Sequence, residues 1–155
     1  MSFFVNNRQA IKDLMVDVGT GTPSWKGLCC ASDIALQVEG EMDDFYVFCD
    51  AIQRHKINGL SINIETTLKL DAENEGVQFI LSNLHTALES GTIAQFENVD
   101  IKISLLTGVS SNTLTYTTYT ANATIEIGDV GGTAEDTSEI PVTFHINGTM
   151  TEVTA

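Results

Sequence analysis

Bases are what this chain has least of. Seven Lys and Arg stand against 21 Asp and Glu, giving a formal net charge of −14. A protein that grips nucleic acid needs a basic footprint to neutralise phosphates, and that class is excluded here. Lys102 is the last base, and Glu126, Asp129, Glu135, Asp136, Glu139 and Glu152 follow it unopposed. A second acidic run without bases holds Glu39, Glu41, Asp43, Asp44 and Asp50. Cysteine is also scarce. Cys29, Cys30 and Cys49 form no C-x-x-C pair, adjacent cysteines are poorly placed to bridge each other, and no zinc spacing exists. Buried thiols in a reducing compartment are the expectation. No apolar run reaches transmembrane length, and the one after Met1 is too short for a signal peptide. Synthesis in a cytoplasm is therefore expected, with the sequons at Asn122 and Asn147 as chance matches. Prolines number two, and abundant Thr and β-branched residues lean the chain towards strands.

What is present is alternation. At 155 residues and 43% apolar the chain fits one domain, residues 1–155, with a loose N-terminal arm over about 1–11 and a short tail over about 149–155. Leu14, Val16 and Val18 alternate with acids before a Gly-Thr-Gly-Thr-Pro loop, which lacks the Gly-Lys-Ser/Thr ending of a phosphate cradle. Trp25 is expected to pin that loop to the core. Ile34, Leu36 and Val38 alternate up to an acidic turn at Glu41–Asp44. Phe45, Tyr46, Val47 and Phe48 are apolar on both parities, which predicts a central strand or one covered by another subunit. Arg54, His55 and Lys56 form the one dense basic patch, on an expected loop, and Leu60 to Leu70 is the longest clean strand.

The period then changes. Val77, Ile80, Leu81, Leu84 and Leu88 fall at helical spacing and Gly91 suits a stop, predicting a helix over about 72–90 with Phe79 at the margin of its apolar stripe. Val99 to Leu105 returns to period two, and Gly108 to Asn112 reads as a loop. Leu114 and Tyr116 occupy one parity and Tyr119 to Ile127 the other, which predicts a bulge or turn near Thr117 and Thr118. Ile140, Val142, Phe144 and Ile146 alternate in the last strand. Pro141 has no N–H there, predicting an edge strand or one that begins at that residue. The fold class is mainly β: an antiparallel sandwich or flattened barrel of seven to eight strands with one flanking α-helix.

No constellation carries chemistry. His55, His85 and His145 stand on separate elements without a second ligand at i+3 or i+4. No G-x-S-x-G elbow and no calcium-loop spacing occur, so no catalytic, metal or cofactor-binding residue is nominated. The competing class is a binding module, such as an adhesin or carbohydrate-binding sandwich, for which Trp25, Tyr116 and Tyr119 supply a thin aromatic platform.

The order of parts resembles a bacteriophage major tail protein, the subunit of a tail tube. The residues that carry the resemblance are Leu14-Met15-Val16-Asp17-Val18, Trp25-Lys26-Gly27-Leu28, Ser32-Asp33-Ile34-Ala35-Leu36 and the Glu41-Met42-Asp43-Asp44 turn. The strand ending Leu68-Lys69-Leu70-Asp71 and the helix follow. Last comes the loop Gly131 to Asp136 that feeds Glu139-Ile140-Pro141-Val142-Thr143-Phe144. The resemblance implies hexameric rings stacked into a hollow tube through which DNA travels without specific binding. It also implies partners of the tape-measure, tail-terminator and baseplate kinds, a place in the virion with assembly in the bacterial host cytoplasm, and no membrane insertion. An acidic wall repels DNA rather than holding it. On this reading Phe45, Tyr46, Val47, Phe48, Phe79 and Pro141 are candidates for the subunit interface. Glu41, Asp43, Asp44, Asp129, Glu135 and Asp136 are candidates for an acidic loop or lumen wall.

Overall fold

Every alternating stretch is a strand in the computed structural model, which describes residues 5–19, 21–28, 31–130, 134 and 138–153. A one-turn helix, α1 (Asn7–Ala10), leads into β1 (Ile11–Asp17) and the short β2 (Trp25–Gly27). The long pair β3 (Ala31–Val47) and β4 (Asp50–Lys69) precedes the helix α2 (Glu75–Ser90) and a 3-10 turn at Ala94–Phe96. β5 (Val99–Ser110), β6 (Thr113–Ile127) and β7 (Glu139–Glu152) complete one antiparallel sheet in the order β2-β1-β5-β6-β7-β4-β3. Within the segments expected to be loose, residues 7–10 form α1, where Asn6 caps by accepting from the Gln9 N–H, and β7 runs on to Glu152.

Alternation puts one side chain of every two on the inner face. Val16, Ile101, Ile103, Ala123, Ile140, Val142, Phe144, Ile64 and Leu68 are buried there, from five strands. The sheet curls until β1 and β3 line opposite sides of one groove of about 600 Å³, with Leu28 between them. These strands do not pair, so the flattened barrel stays open along that seam. α2 covers the core with its first two turns, burying Val77 and Ile80, while Phe79 and Leu81 pack half-buried beside them. Asn74 starts the helix by accepting from the Val77 N–H at 3.0 Å, later than the predicted 72, since a capping side chain fixes the first turn. Gly91 ends it in the left-handed region, its N–H donating to the Ala87 carbonyl.

Other expectations are corrected by pairing. Glu41 to Asp44 is strand rather than turn, and Arg54 to Lys56 is strand rather than loop, because Asp43 pairs with Lys56 and Asp44 with His55. Phe45 to Val47 end an outer strand rather than form a central one. The loop predicted at Gly108–Asn112 shrinks to Ser111 and Asn112, both at positive φ as a two-residue hairpin requires. No bulge breaks β6 at Thr117 and Thr118. The irregularities lie at Thr107 of β5 and, against β7, between Thr120 and Asn122 of β6, and Tyr116 stays on the outer face beneath Lys12. β7 lies between β6 and β4 rather than at an edge. The Pro141 carbonyl accepts from Gly128, so its nitrogen faces the same residue, just past the end of β6, and the one bond it forgoes is the reciprocal bond of that terminal pair. Cys49 is exposed at a turn and not buried, whereas Cys29 and Cys30 lie outside the described residues.

Candidate assembly surface

The candidate site begins where β4 outgrows its second partner. β7 accompanies β4 from Lys69 to Asn63 and then parts from it, with Asn63 paired to His145 on the last rung. Beyond that rung β3 and β4 have only each other, and they project as a two-stranded arm closed by a turn at Phe48 and Cys49. His145 fastens the root of the arm. One ring nitrogen lies 2.9 Å from the Asn63 side-chain oxygen and the other 2.6 Å from a Glu126 carboxylate oxygen.

Paired residues of antiparallel strands point to the same face, which gives the arm two unlike sides. Leu36 with Ile64, Val38 with Ile62, Gly40 with Leu60 and Met42 with Ile57 make one apolar stripe. It starts in the core at Ile64 and runs out into solvent. Val38 is 59% exposed, Met42 56%, Ile57 57% and Leu60 66%. Asn58 is an extra residue opposite Glu41 and Met42, and this bulge returns Ile57 to the apolar side. Without it the period-two pattern would turn Ile57 to the face of Glu41 and Asp43. The tip adds Tyr46 and a wholly exposed Phe48.

Polar groups occupy the other face and continue over the sheet. The Asn147 amide donates to Asn122 and Thr124, and that of Asn122 to Asp100 at 3.2 Å. Lys69 pairs with Glu139. By register, Glu39, Glu41, Asp43, Glu65, Glu126 and Asp100 share this side, and β6 and β7 carry no Lys or Arg. Asp44 is the exception among the arm acids: it lies on the apolar side, 2.5 Å from His55.

The candidate interface residues therefore separate. Phe45, Tyr46, Val47 and Phe48 gather at the arm tip with Glu41, Asp43 and Asp44 nearby. Phe79 packs against the core, Pro141 is exposed on the polar face, and Asp129 is exposed after β6. Glu135 and Asp136 fall outside the described residues. Sequence reading missed Val38, Met42, Ile57 and Leu60 as a group, and Glu65, Asp100 and Glu126 as a face. Unbroken alternation from Ile34 through Met42 was the available signal for the first. The aromatic platform of the binding-module reading does not assemble either. Lys102 stands 4.2 Å over the Trp25 ring and Lys12 5.4 Å over Tyr116, so each ring is engaged by a base of its own chain. Among the described residues no three His, Cys, Asp or Glu side chains converge on a metal position, and no helix is long and apolar enough to cross a membrane.

This architecture recurs in solved tail assemblies. The protein of the SPP1 tail tube is 16% identical with a TM-score of 0.62, over 93% of this chain and 76% of its own. A chain in the tail of an empty gene transfer agent particle, refined with C6 symmetry, is 10% identical with a TM-score of 0.63, over 97% of this chain and all of its own. A chain of the six-fold symmetrised baseplate of the anti-feeding prophage is 10% identical with a TM-score of 0.58, over 99% of this chain and 97% of its own. No family model matches the sequence, and no curated protein does. The chain has the fold of tail tube proteins.

Proposed function

We propose that this chain is a structural, non-catalytic tail tube subunit whose copies form hexameric rings that stack into a hollow tube of the virion, with the polar acidic face turned to the lumen. One observation carries the reading: the β3–β4 arm holds a strand-length apolar stripe in solvent, with Val38, Met42, Ile57 and Leu60 each more than half exposed. A monomer gains nothing from such a stripe, and a neighbouring copy that covers it removes apolar surface from water. The tail-tube fold and the six-fold symmetry in the names of two similar assemblies support the ring and the hexamer. Asp100, Glu126, Glu65 and Glu39 on one face, with no Lys or Arg on β6 and β7, support a wall that DNA passes without binding. Tape-measure, terminator and baseplate proteins are the partners that such a tube requires, and assembly takes place in the host cytoplasm.

Purified protein examined by negative-stain microscopy forms rings or tubes on this reading. Copies of charge −14 repel one another, so tube yield rises as added salt screens that repulsion. Protein that stays monomeric at high concentration and high salt would count decisively against the proposal.

A further inference from the structure

The apolar side of the β3–β4 arm carries one interruption. Leu36, Val38, Met42, Ile57 and Leu60 follow one another along it, and the next rung of that side is Asp44 with His55. The Nδ1 atom of the His55 ring lies 2.5 Å from an Asp44 carboxylate oxygen. β3 is the one strand beside β4 at this height, since β7 parts from it at Asn63. Asp44 is thus the charged group that β3 presents to the ring. By register Asp43, Lys56 and Arg54 stand on the opposite side of the arm, and Tyr46 follows towards the tip.

In a lone copy this pair stands in water, with the His55 side chain 55% exposed and that of Asp44 46%. A surface ion pair contributes little, and water supports the ring in either charge state. Covering the stripe changes this. A carboxylate taken from water beside a neutral ring leaves an unbalanced charge. Beside an imidazolium it forms a neutral, hydrogen-bonded pair. Histidine is the side chain whose charge changes between about pH 5 and 8, so the balancing proton is available near neutrality.

We propose that assembly of this chain is coupled to protonation of His55, the Asp44–His55 pair taking up one proton when the arm is covered. Nδ1–H donates to Asp44, and the proton enters from solvent at Nε2. The assembled state then holds more protons than the free copies. Falling pH therefore favours assembly, and rising pH through the histidine range opposes it. His85 and His145 also face carboxylates, Glu89 and Glu126, but they lie off the stripe, on α2 and on the polar face. The inference rests on the assembly reading above. It goes beyond that reading by naming what regulates the contact, whichever surface of the next copy supplies the cover.

The test measures the concentration at which the chain forms tubes, from about pH 6.5 to about pH 8.5. High salt is kept throughout, because it screens the general repulsion between acidic copies and reaches a covered pair little. For the unaltered protein that concentration is expected to rise at least about fivefold across the range, one proton per copy setting a ceiling of about tenfold per pH unit. His55→Gln is expected to hold the change below about twofold. Asp44→Asn is expected to remove the dependence or reverse its sign, because without the carboxylate a covered ring is favoured in its neutral form. His85→Gln and His145→Gln are expected to keep the dependence, whatever they do to yield. Circular dichroism of each monomer at each pH separates loss of fold from loss of contact. Dependence lost in His55→Gln and lost or reversed in Asp44→Asn upholds the inference. Tubes that form equally well across the range overturn it and leave the tube reading standing, as does dependence that survives either change in its original direction. Failure of the unaltered chain to form tubes at every pH tried overturns the assembly reading, and this inference falls with it.

Discussion

The body of the sheet and the β3–β4 arm are written in the same alternating pattern, and they do opposite things with it. In the body, inward residues of β4 such as Ile64 and Leu68 meet Phe144, Ile140 and Val142 of β7 and are wholly buried. A few residues along the same strand, Leu60 and Ile57 keep the same inward register and stand in solvent. The change is the loss of the neighbouring strand and of the layer beneath, not a change in residue type. Period two specifies which face a side chain takes, and only a second layer makes that face a core. The arm is thus a core face whose second layer must come from another molecule.

The largest test of this contrast is to cut the same kind of side chain in both places. Phe144→Ala empties the centre of the body and is expected to cost about 3–5 kcal/mol, read by urea unfolding. Leu60→Ala with Val38→Ala, on the arm, should change monomer stability by no more than about 0.5 kcal/mol. The arm pair should nevertheless abolish tubes while the monomer stays folded. An arm substitution that destabilised the monomer as strongly as Phe144→Ala would show that the arm folds back onto the body.

A smaller effect is expected where the helix joins the body. Asn74 accepts from the Val77 N–H at 3.0 Å and donates to the Gly27 carbonyl at 3.2 Å, so one side chain both starts α2 and ties it to β2. Asn74→Ala should lower stability by about 1–2 kcal/mol, whereas Asn74→Asp keeps the cap, loses the tie and should cost less. Equal losses from the two changes would make the tie to Gly27 the important part.

These contrasts also explain what could be read in the chain. The strands, the helix and the inward residues were legible because burial on one side leaves a period, as in Val99, Ile101 and Ile103 or in Val77 and Ile80. The arm was legible only in fragments. Glu41–Asp44 reads as a turn because four polar or flexible residues in a row usually are one, yet pairing with Lys56 and His55 makes it strand. Phe45 to Phe48 lack a period because the tip is not constrained by a layer of this chain. Pro141 misleads for a geometric reason: its missing N–H points past the end of β6, a fact of register that no single strand records. The polar face was hidden because its acids come from strands far apart in sequence, Asp100 on β5 and Glu65 on β4, and only the sheet order puts them on one side.

The smallest effect tests whether body and arm are joined by more than the backbone. His145 reaches Asn63 at the root of the arm and Glu126 on β6, so it spans three strands where the arm departs. Its side chain is 43% exposed and that of Glu126 68%, so water screens the pair and competes with both bonds. His145→Ala should therefore lower global stability by only about 0.5–1 kcal/mol. Hydrogen exchange should be more sensitive, because the arm has no second ladder beyond Asn63 and opens without unfolding the body. Amides of residues 54–62 should exchange several times faster in the variant, by roughly the factor that such a free-energy change allows. Those of Ile101 and Ile103 should be unaffected. Unchanged exchange along the arm would mean that the β3–β4 ladder alone sets its pose. Faster exchange in arm and body alike would mean that His145 belongs to the core network and that the root is no boundary.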